Sequence, residues 1–133
     1  MSVVFADAFY FVARLNHRDQ HHKQVITFSR DFRSPILTTD WVLMEVADAL
    51  AKSECRSRIR EFFLHLRQSS VCDVVPASRE LLDQALALYS QHSDKGWTLT
   101  DCTSFVVMRA QRITDALTAD RHYIQAGFTV LFK

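Results

Sequence analysis

The stretch from Thr100 to Phe132, TDCTSFVVMRAQRITDALTADRHYIQAGFTVLF, decides the fold class. Its apolar residues Phe105, Val106, Val107 and Met108 belong to a buried helix that Thr100 opens and that runs to about Arg112. A short strand near Ala116–Leu117 follows, then a turn of helix at Arg121–Ala126 and a last strand at Thr129–Phe132. The same alternation continues toward the N terminus. Val3–Ala6 is a short strand ending at Asp7, followed by the helical or turn-like AFYFVARL. Val25, Ile26, Phe28 and Phe32 have helix spacing within His22–Phe32, Pro35 interrupts, and Ile36–Leu37 is a second strand. Thr39 caps a helix to about Lys52, and a further helix spans Arg56–Gln68 with Ile59, Phe62, Phe63 and Leu66 on one face. Val71–Val75 is a strand closed by Pro76, and Ser78 caps the amphipathic helix Arg79–His92. Strands alternating with helices predict an α/β fold with a parallel central β-sheet flanked by helices on both sides. With no linker, repeat or low-complexity stretch, residues 1–133 are expected to form one domain.

Composition excludes several functions. Hydrophobic residues make up 48% and charged residues 23%, the balance of a globular chain with a real core. Gly96 and Gly127 are the only glycines, so neither a P-loop nor a GxGxxG fingerprint is possible. Sixteen Lys+Arg against fifteen Asp+Glu give a net charge of +1, and the overall field steers no partner. Cys55, Cys72 and Cys102 share no CxxC or finger spacing and read as reduced, buried thiols. No secretory signal is visible, and no apolar run approaches the roughly 18 residues of a membrane span. A cytoplasmic protein without membrane attachment is the expectation.

In parallel sheets, binding residues gather outside the carboxyl ends of the strands. Asp7 directly follows the first strand; alone, it is equally well a helix N-cap. Glu45 lies on an otherwise apolar helix, in a narrow stripe with Trp41, Asp48 and Lys52. By itself that stripe is a solvent-facing helix edge. Asp101, in the first turn after Thr100, suits the helix dipole, and Ser104 one turn on faces the same way. Asp120 follows the short strand at Ala116–Leu117 and precedes a helical turn, another common N-cap position. Taken together the four weigh differently. Clustered carboxylates raise one another's pKa and are tolerated mainly where a cation neutralises them. Oxygen ligands without Cys/His geometry select Mg²⁺ or Mn²⁺, and an acidic Mg²⁺ site points to phosphoryl transfer.

The order Asp7 in VVFADAFYFVARL, Glu45 in TTDWVLMEVADAL, Asp101 in LTDCTSF and Asp120 in ALTADRHYIQAGF resembles the PIN-domain ribonucleases, especially VapC-type toxins of toxin–antitoxin pairs. The resemblance covers nearly the whole chain. It implies a Mg²⁺- or Mn²⁺-dependent endoribonuclease in which Asp7, Glu45, Asp101 and Asp120 are the catalytic and metal-binding acids, with Thr118 and Ser104 in support. It also implies 5′-phosphate and 3′-hydroxyl products, a homodimer, and a small antitoxin whose tail fills the acidic groove. Ala8 departs from the hydroxyl residue that many members carry after the first aspartate, and Asp40 and Asp48 flank the expected glutamate.

Outside these blocks the signals are weaker. His17 and His21 have i,i+4 spacing in NHRDQHH, beside His22, but the polar run reads as a solvated joint. His122 either contacts a phosphate or caps its turn. Arg14, Lys52, Arg56, Arg109 and Arg112 are candidate RNA-phosphate contacts, against the plainer reading of solvated charge. Trp41 and Trp97 read as isolated core or interface residues. Two rivals keep the fold without this chemistry. One is a catalytically quiet RNA- or protein-interaction module. The other, a phosphate-accepting receiver domain, is disfavoured because a single Asp7 follows the first strand and no proline follows Pro76.

Overall fold

The computed structural model describes residues 2–133. Its five strands are β1 (Val4–Ala6), β2 (Ile36–Thr39), β3 (Cys72–Val75), β4 (Asp115–Leu117) and β5 (Thr129–Val130). Its helices are α1 (Ala8–Leu15), α2 (His22–Asp31), α3 (Asp40–Ala49), α4 (Ile59–Gln68), α5 (Arg79–Gln91), α6 (Leu99–Ala110) and α7 (Arg121–Gln125). The sheet is wholly parallel in the order β3-β2-β1-β4-β5, with Phe5 in register with both Leu37 and Ala116. Successive strand residues point to opposite faces. Val4, Phe5 and Ala6 are all buried, as are Ala116 and Leu117, so the centre of the sheet is covered on both sides. The expected α/β architecture is therefore the one observed.

The chain leaves β1 toward β2 on one side and returns to β4 on the other. This reversal of order opens a crevice at the carboxyl ends of β1 and β4, where parallel sheets bind ligands. Local chemistry fixes the elements that border it. Thr39 ends β2 and caps α3, its Oγ1 accepting from Val42 N at 3.1 Å. The Thr38 hydroxyl, buried beside it, donates to Ala6 O at 2.9 Å and ties the end of β2 to the end of β1. Gly127, at φ +97, closes α7, and the N–H of Phe128 reaches Tyr123 O at 3.0 Å. That turn sends the chain into β5.

Several boundaries differ from the expectation, β2 running on to Thr39 and α3 ending at Ala49 rather than near Lys52 among them. Helix α6 begins two residues earlier than Thr100 suggests, because Thr98 and Asp101 form a reciprocal capping box. The helix expected over Arg56–Gln68 is split. Ser53 caps a 3₁₀ turn at Glu54–Arg58, which buries Cys55, and α4 starts only at Ile59. The last strand stops at Val130 because Phe132 serves as core, its ring 4.8 Å from Phe28 and 5.5 Å from Phe9. Trp97 is buried but not isolated, lying 4.9 Å from His92 and edge-on to Phe105 at 5.0 Å. All three cysteines are free and buried. Among the described residues no helix is long and apolar enough to cross a membrane.

Candidate active site

Asp7 stands at the N-cap position of α1 but makes no side-chain cap bond. Its carboxylate turns across the crevice instead, where Oδ2 accepts the Thr118 hydroxyl at 2.9 Å from the end of β4. Thr118 has a second task, since its Oγ1 also accepts Asp120 N at 3.1 Å. One buried hydroxyl thus links the first acid to the backbone of the last. Asp120 is the N-cap of α7, with Oδ1 accepting His122 N at 2.9 Å. Asp101 uses Oδ2 for the Thr98 N–H at 3.0 Å, and the same oxygen meets His122 Nδ1 at 3.1 Å. The plain capping roles of Asp101 and Asp120 are therefore real, and they orient the carboxylates toward one another.

Glu45 comes from α3, half-buried among buried neighbours Val42, Leu43 and Val46. Burial pushes its carboxyl up to about 7, helped by the charges of Asp7, Asp101 and Asp120. Coulombic coupling weakens with distance, and the contribution of all three aspartates puts Glu45 within electrostatic range of each. Burial likewise raises Asp7 to about 6, with Asp101 adding to it, against the opposing hydrogen bond from Thr118. Both shifts disfavour the charged form. Among the described residues no Lys or Arg pairs with any of the four acids; only His122 does. A cluster of like charge without a counter-cation is the electrostatic setting a bound cation would relieve.

Two neighbouring hydroxyls strengthen that point. Ser104 Oγ and Tyr123 Oη are buried and have no partner of good hydrogen-bond geometry, although Tyr123 faces Ser104 and Asp7. Burial holds the Tyr123 phenol well above its usual range, and the nearby Asp7 and Asp101 charges add to this. Unpartnered buried polar atoms are rare and call for an explanation. Here they sit beside the acidic cluster, where a polar occupant would satisfy them. The carboxylate oxygens of the cluster suit a hard divalent ion. Asp101, Asp120 and His122 each present a ligand atom, all within 4.8 Å of one another.

Other candidates lie elsewhere. Asp40 accepts Ala77 N at 3.0 Å and faces Arg67 at 3.6 Å, anchoring α3 to the loop before α5. Asp48 is exposed. The i,i+4 histidines share no helix: His17 is exposed near Glu54, and His21 precedes α2. Arg14 lines a groove with Ile36, Val71 and Cys72, at the amino ends of β2 and β3. Lys52 and Arg56 lie past the end of α3, and Arg109 and Arg112 lie at the end of α6. Eight residues of helix put Arg109 about 12 Å along the axis from Asp101. The structure therefore does not bring these five cations to the acids. The exposed Arg121, next to Asp120, is the cation that sequence reasoning passed over. Tyr123 was passed over too, although an aromatic three residues after Asp120 has the spacing to turn inward.

The wholly parallel sheet order and the acids at the carboxyl ends of β1 and β4 define the class of fold to which the chain belongs. A model of the PIN domain family matches residues 4–128, and the chain belongs to that family. The 23S rRNA-specific endonuclease VapC20 of Mycobacterium tuberculosis (strain H37Rv) is 27% identical over 126 residues, 95% of each chain. The crystal structure of VapC20 from Mycobacterium tuberculosis, described as a Sarcin-Ricin loop cleaving toxin, matches with a TM-score of 0.84 at 26% identity. That match covers 96% of this chain and 97% of the other. A toxin–antitoxin complex from Klebsiella pneumoniae matches with a TM-score of 0.64 at 15% identity, over 97% of this chain and 96% of that one. At that identity the likeness is one of fold.

Proposed function

We propose that this chain is a divalent-metal-dependent endoribonuclease, the toxin of a toxin–antitoxin pair. The carrying observation is the linkage of three acids at the carboxyl ends of β1 and β4: Thr118 joins Asp7 to Asp120, and His122 joins Asp120 to Asp101. Asp7, Glu45 and Asp101 would hold Mg²⁺ or Mn²⁺, with Asp120 completing that site or a second one. A divalent ion supplies charge that activates water and neutralises the developing negative charge on phosphorus.

The remaining work falls to the chain itself. Thr118 fixes Asp7 through Oδ2, so the carboxylate keeps one orientation. The Thr98–Asp101 capping box does the same for the third acid. Buried apolar neighbours such as Phe5, Val42 and Phe105 limit water around the acids and keep their electrostatics strong. The exposed Arg121, next to Asp120, would meet an RNA phosphate as the strand approaches the acids. The relatives support RNA as the substrate and a small antitoxin as the partner: one is named a 23S rRNA-specific endonuclease, and another is solved as a toxin–antitoxin complex. A homodimer and a cytoplasmic location belong to the same reading.

The test is incubation of the purified protein with end-labelled structured RNAs, including 23S rRNA fragments and transfer RNA, in Mg²⁺, Mn²⁺ or EDTA. Discrete cutting that EDTA abolishes is expected. Intact RNA in every metal, with no Mn²⁺ binding by calorimetry, would leave the quiet interaction module in its place.

A further inference from the structure

We propose that His122 is a positioning residue of the acidic centre, holding Asp101 by one oxygen so that its other oxygen is free to ligate the cation. The inference rests on the metal-centre reading above and extends it to a residue outside the four acids. His122 sits on α7 between two of those acids. Its Nδ1 lies 3.1 Å from Asp101 Oδ2 and 3.6 Å from Asp120 Oδ1, and its side chain is 24% exposed. A carboxylate oxygen only accepts, so the ring must carry its proton on Nδ1. Both the neutral ring in this tautomer and the protonated ring satisfy that condition.

The oxygen accounting decides between holding and ligating. Asp101 Oδ2 already accepts two donors, the Thr98 N–H at 3.0 Å and the His122 ring at 3.1 Å. Among the described residues Asp101 Oδ1 has no hydrogen-bond partner. Asp120 repeats the pattern: Oδ1 accepts His122 N at 2.9 Å and Oδ2 stays free. Asp7 gives Oδ2 to Thr118. Asp101 and Asp120 therefore each have one oxygen tethered to the protein and one left over. His122 supplies the second tether for Asp101 and the backbone tether for Asp120, which makes it, among the described residues, the one that touches both carboxylates. Outer-shell partners of this kind fix ligand orientation, and losing one typically costs 10–100-fold in metal affinity.

A competing geometry exists, because the imidazole could itself ligate, with the two carboxylates, inside the 4.8 Å cluster. Binding of MnCl₂ alone to the full chain separates the two. Calorimetry gives the affinity of wild type, His122→Ala and His122→Asn. Electron paramagnetic resonance of the bound Mn²⁺ reports whether a nitrogen is directly attached. The Asn amide nitrogen is as many bonds from Cα as Nδ1 is, so it can donate to Asp101 in the same place. Thermal melts of the three proteins without metal show that each is folded.

The positioning role predicts a roughly 10–100-fold weaker Mn²⁺ affinity for His122→Ala. It also predicts recovery of most of that loss in His122→Asn, and no directly bound nitrogen in wild type. Unchanged affinity in His122→Ala overturns the proposal. So does a nitrogen coupling in wild type that both variants lose, which would make His122 a ligand, and so does failure of His122→Asn to recover affinity. If wild type binds no Mn²⁺ at all, the metal-centre reading falls first and this inference with it. That outcome is recognised by the wild-type titration alone.

Discussion

The two ends of the sheet treat charge in opposite ways. Around the helix C-termini, side-chain donors are used on backbone carbonyls. Arg58 reaches Leu15 O at 3.2 Å, His22 Nδ1 lies 2.6 Å from Ala13 O, Arg56 reaches Ala51 O at 3.0 Å, and Arg109 reaches Ala126 O at 3.3 Å. Cations there complement the helix dipoles and finish the last turns. At the carboxyl ends of β1 and β4, four carboxylates meet without a Lys or Arg among the described residues, two of them pushed upward in pKa. The first end is satisfied by the chain alone. The second gathers like charge that a cation would relieve. That difference, more than the presence of acids, marks where function resides.

The largest expected effect removes the unsatisfied charge. Asp7→Asn and Asp101→Asn should each lower RNA cleavage by more than about 100-fold, the upper end for losing a supporting partner of a metal ligand. Asp7→Asn keeps an oxygen for the Thr118 hydroxyl while deleting a disfavoured charge, so the metal-free variant should melt higher than wild type at pH 7.5. Loss of stability together with loss of activity would make Asp7 a structural residue and erase the contrast between the two ends.

A second effect follows from linkage. The folded-state pKa values of Asp7 and Glu45, about 6 and about 7, lie above ordinary carboxylate values. The native state therefore retains protons that the unfolded chain has already released. Metal-free stability should fall as pH rises from about 4 through 7 and level off above, with Asp7 alone accounting for about 3 kcal/mol. Mn²⁺ should raise the melting temperature more at pH 7.5 than at pH 5, because it competes with those protons. Melts in EDTA and in Mn²⁺ at the two pH values check this. A metal-free protein that grows more stable from pH 5 to 7.5 would contradict it.

Smaller effects sharpen the comparison. Thr118→Val removes the donor to Asp7 and the acceptor for Asp120 N, and should cost about 1–3 kcal/mol in a urea melt. A 10–100-fold loss of cleavage should accompany it. Arg121→Ala should weaken RNA binding in EDTA and reduce the slope of log affinity against log salt by roughly the 0.7 of one single-strand phosphate contact. Arg14→Ala, at the other end, should leave that slope unchanged. Equal effects from the two arginines would show that RNA runs over both ends.

Much of this was legible in the residues. Asp7 stands out because a carboxylate directly after a buried strand needs a reason, and the α/β alternation is plain from strand and cap signals. Glu45 was legible only as part of a set, since its helix stripe alone fits a solvent edge. The candidate cations were harder to place, and helix direction explains why. In a parallel α/β fold, helices run back against the strands, so last-turn residues such as Arg14 and Arg109 lie toward the end opposite the acids. The position of His122 was not readable. Its link to Asp101, 21 residues away, depends on how α7 docks beside the start of α6.

The central claim is that carboxylates and a divalent ion, rather than a histidine, carry the chemistry. The chemical identity of the RNA ends tests it most directly, read by labelling the products of a Mn²⁺ reaction. The account predicts 3′-hydroxyl and 5′-phosphate ends, the mark of water attacking phosphorus, with no product in EDTA. Ends bearing 2′,3′-cyclic phosphate, formed with or without metal, would contradict it and move the chemistry from the four acids to His122.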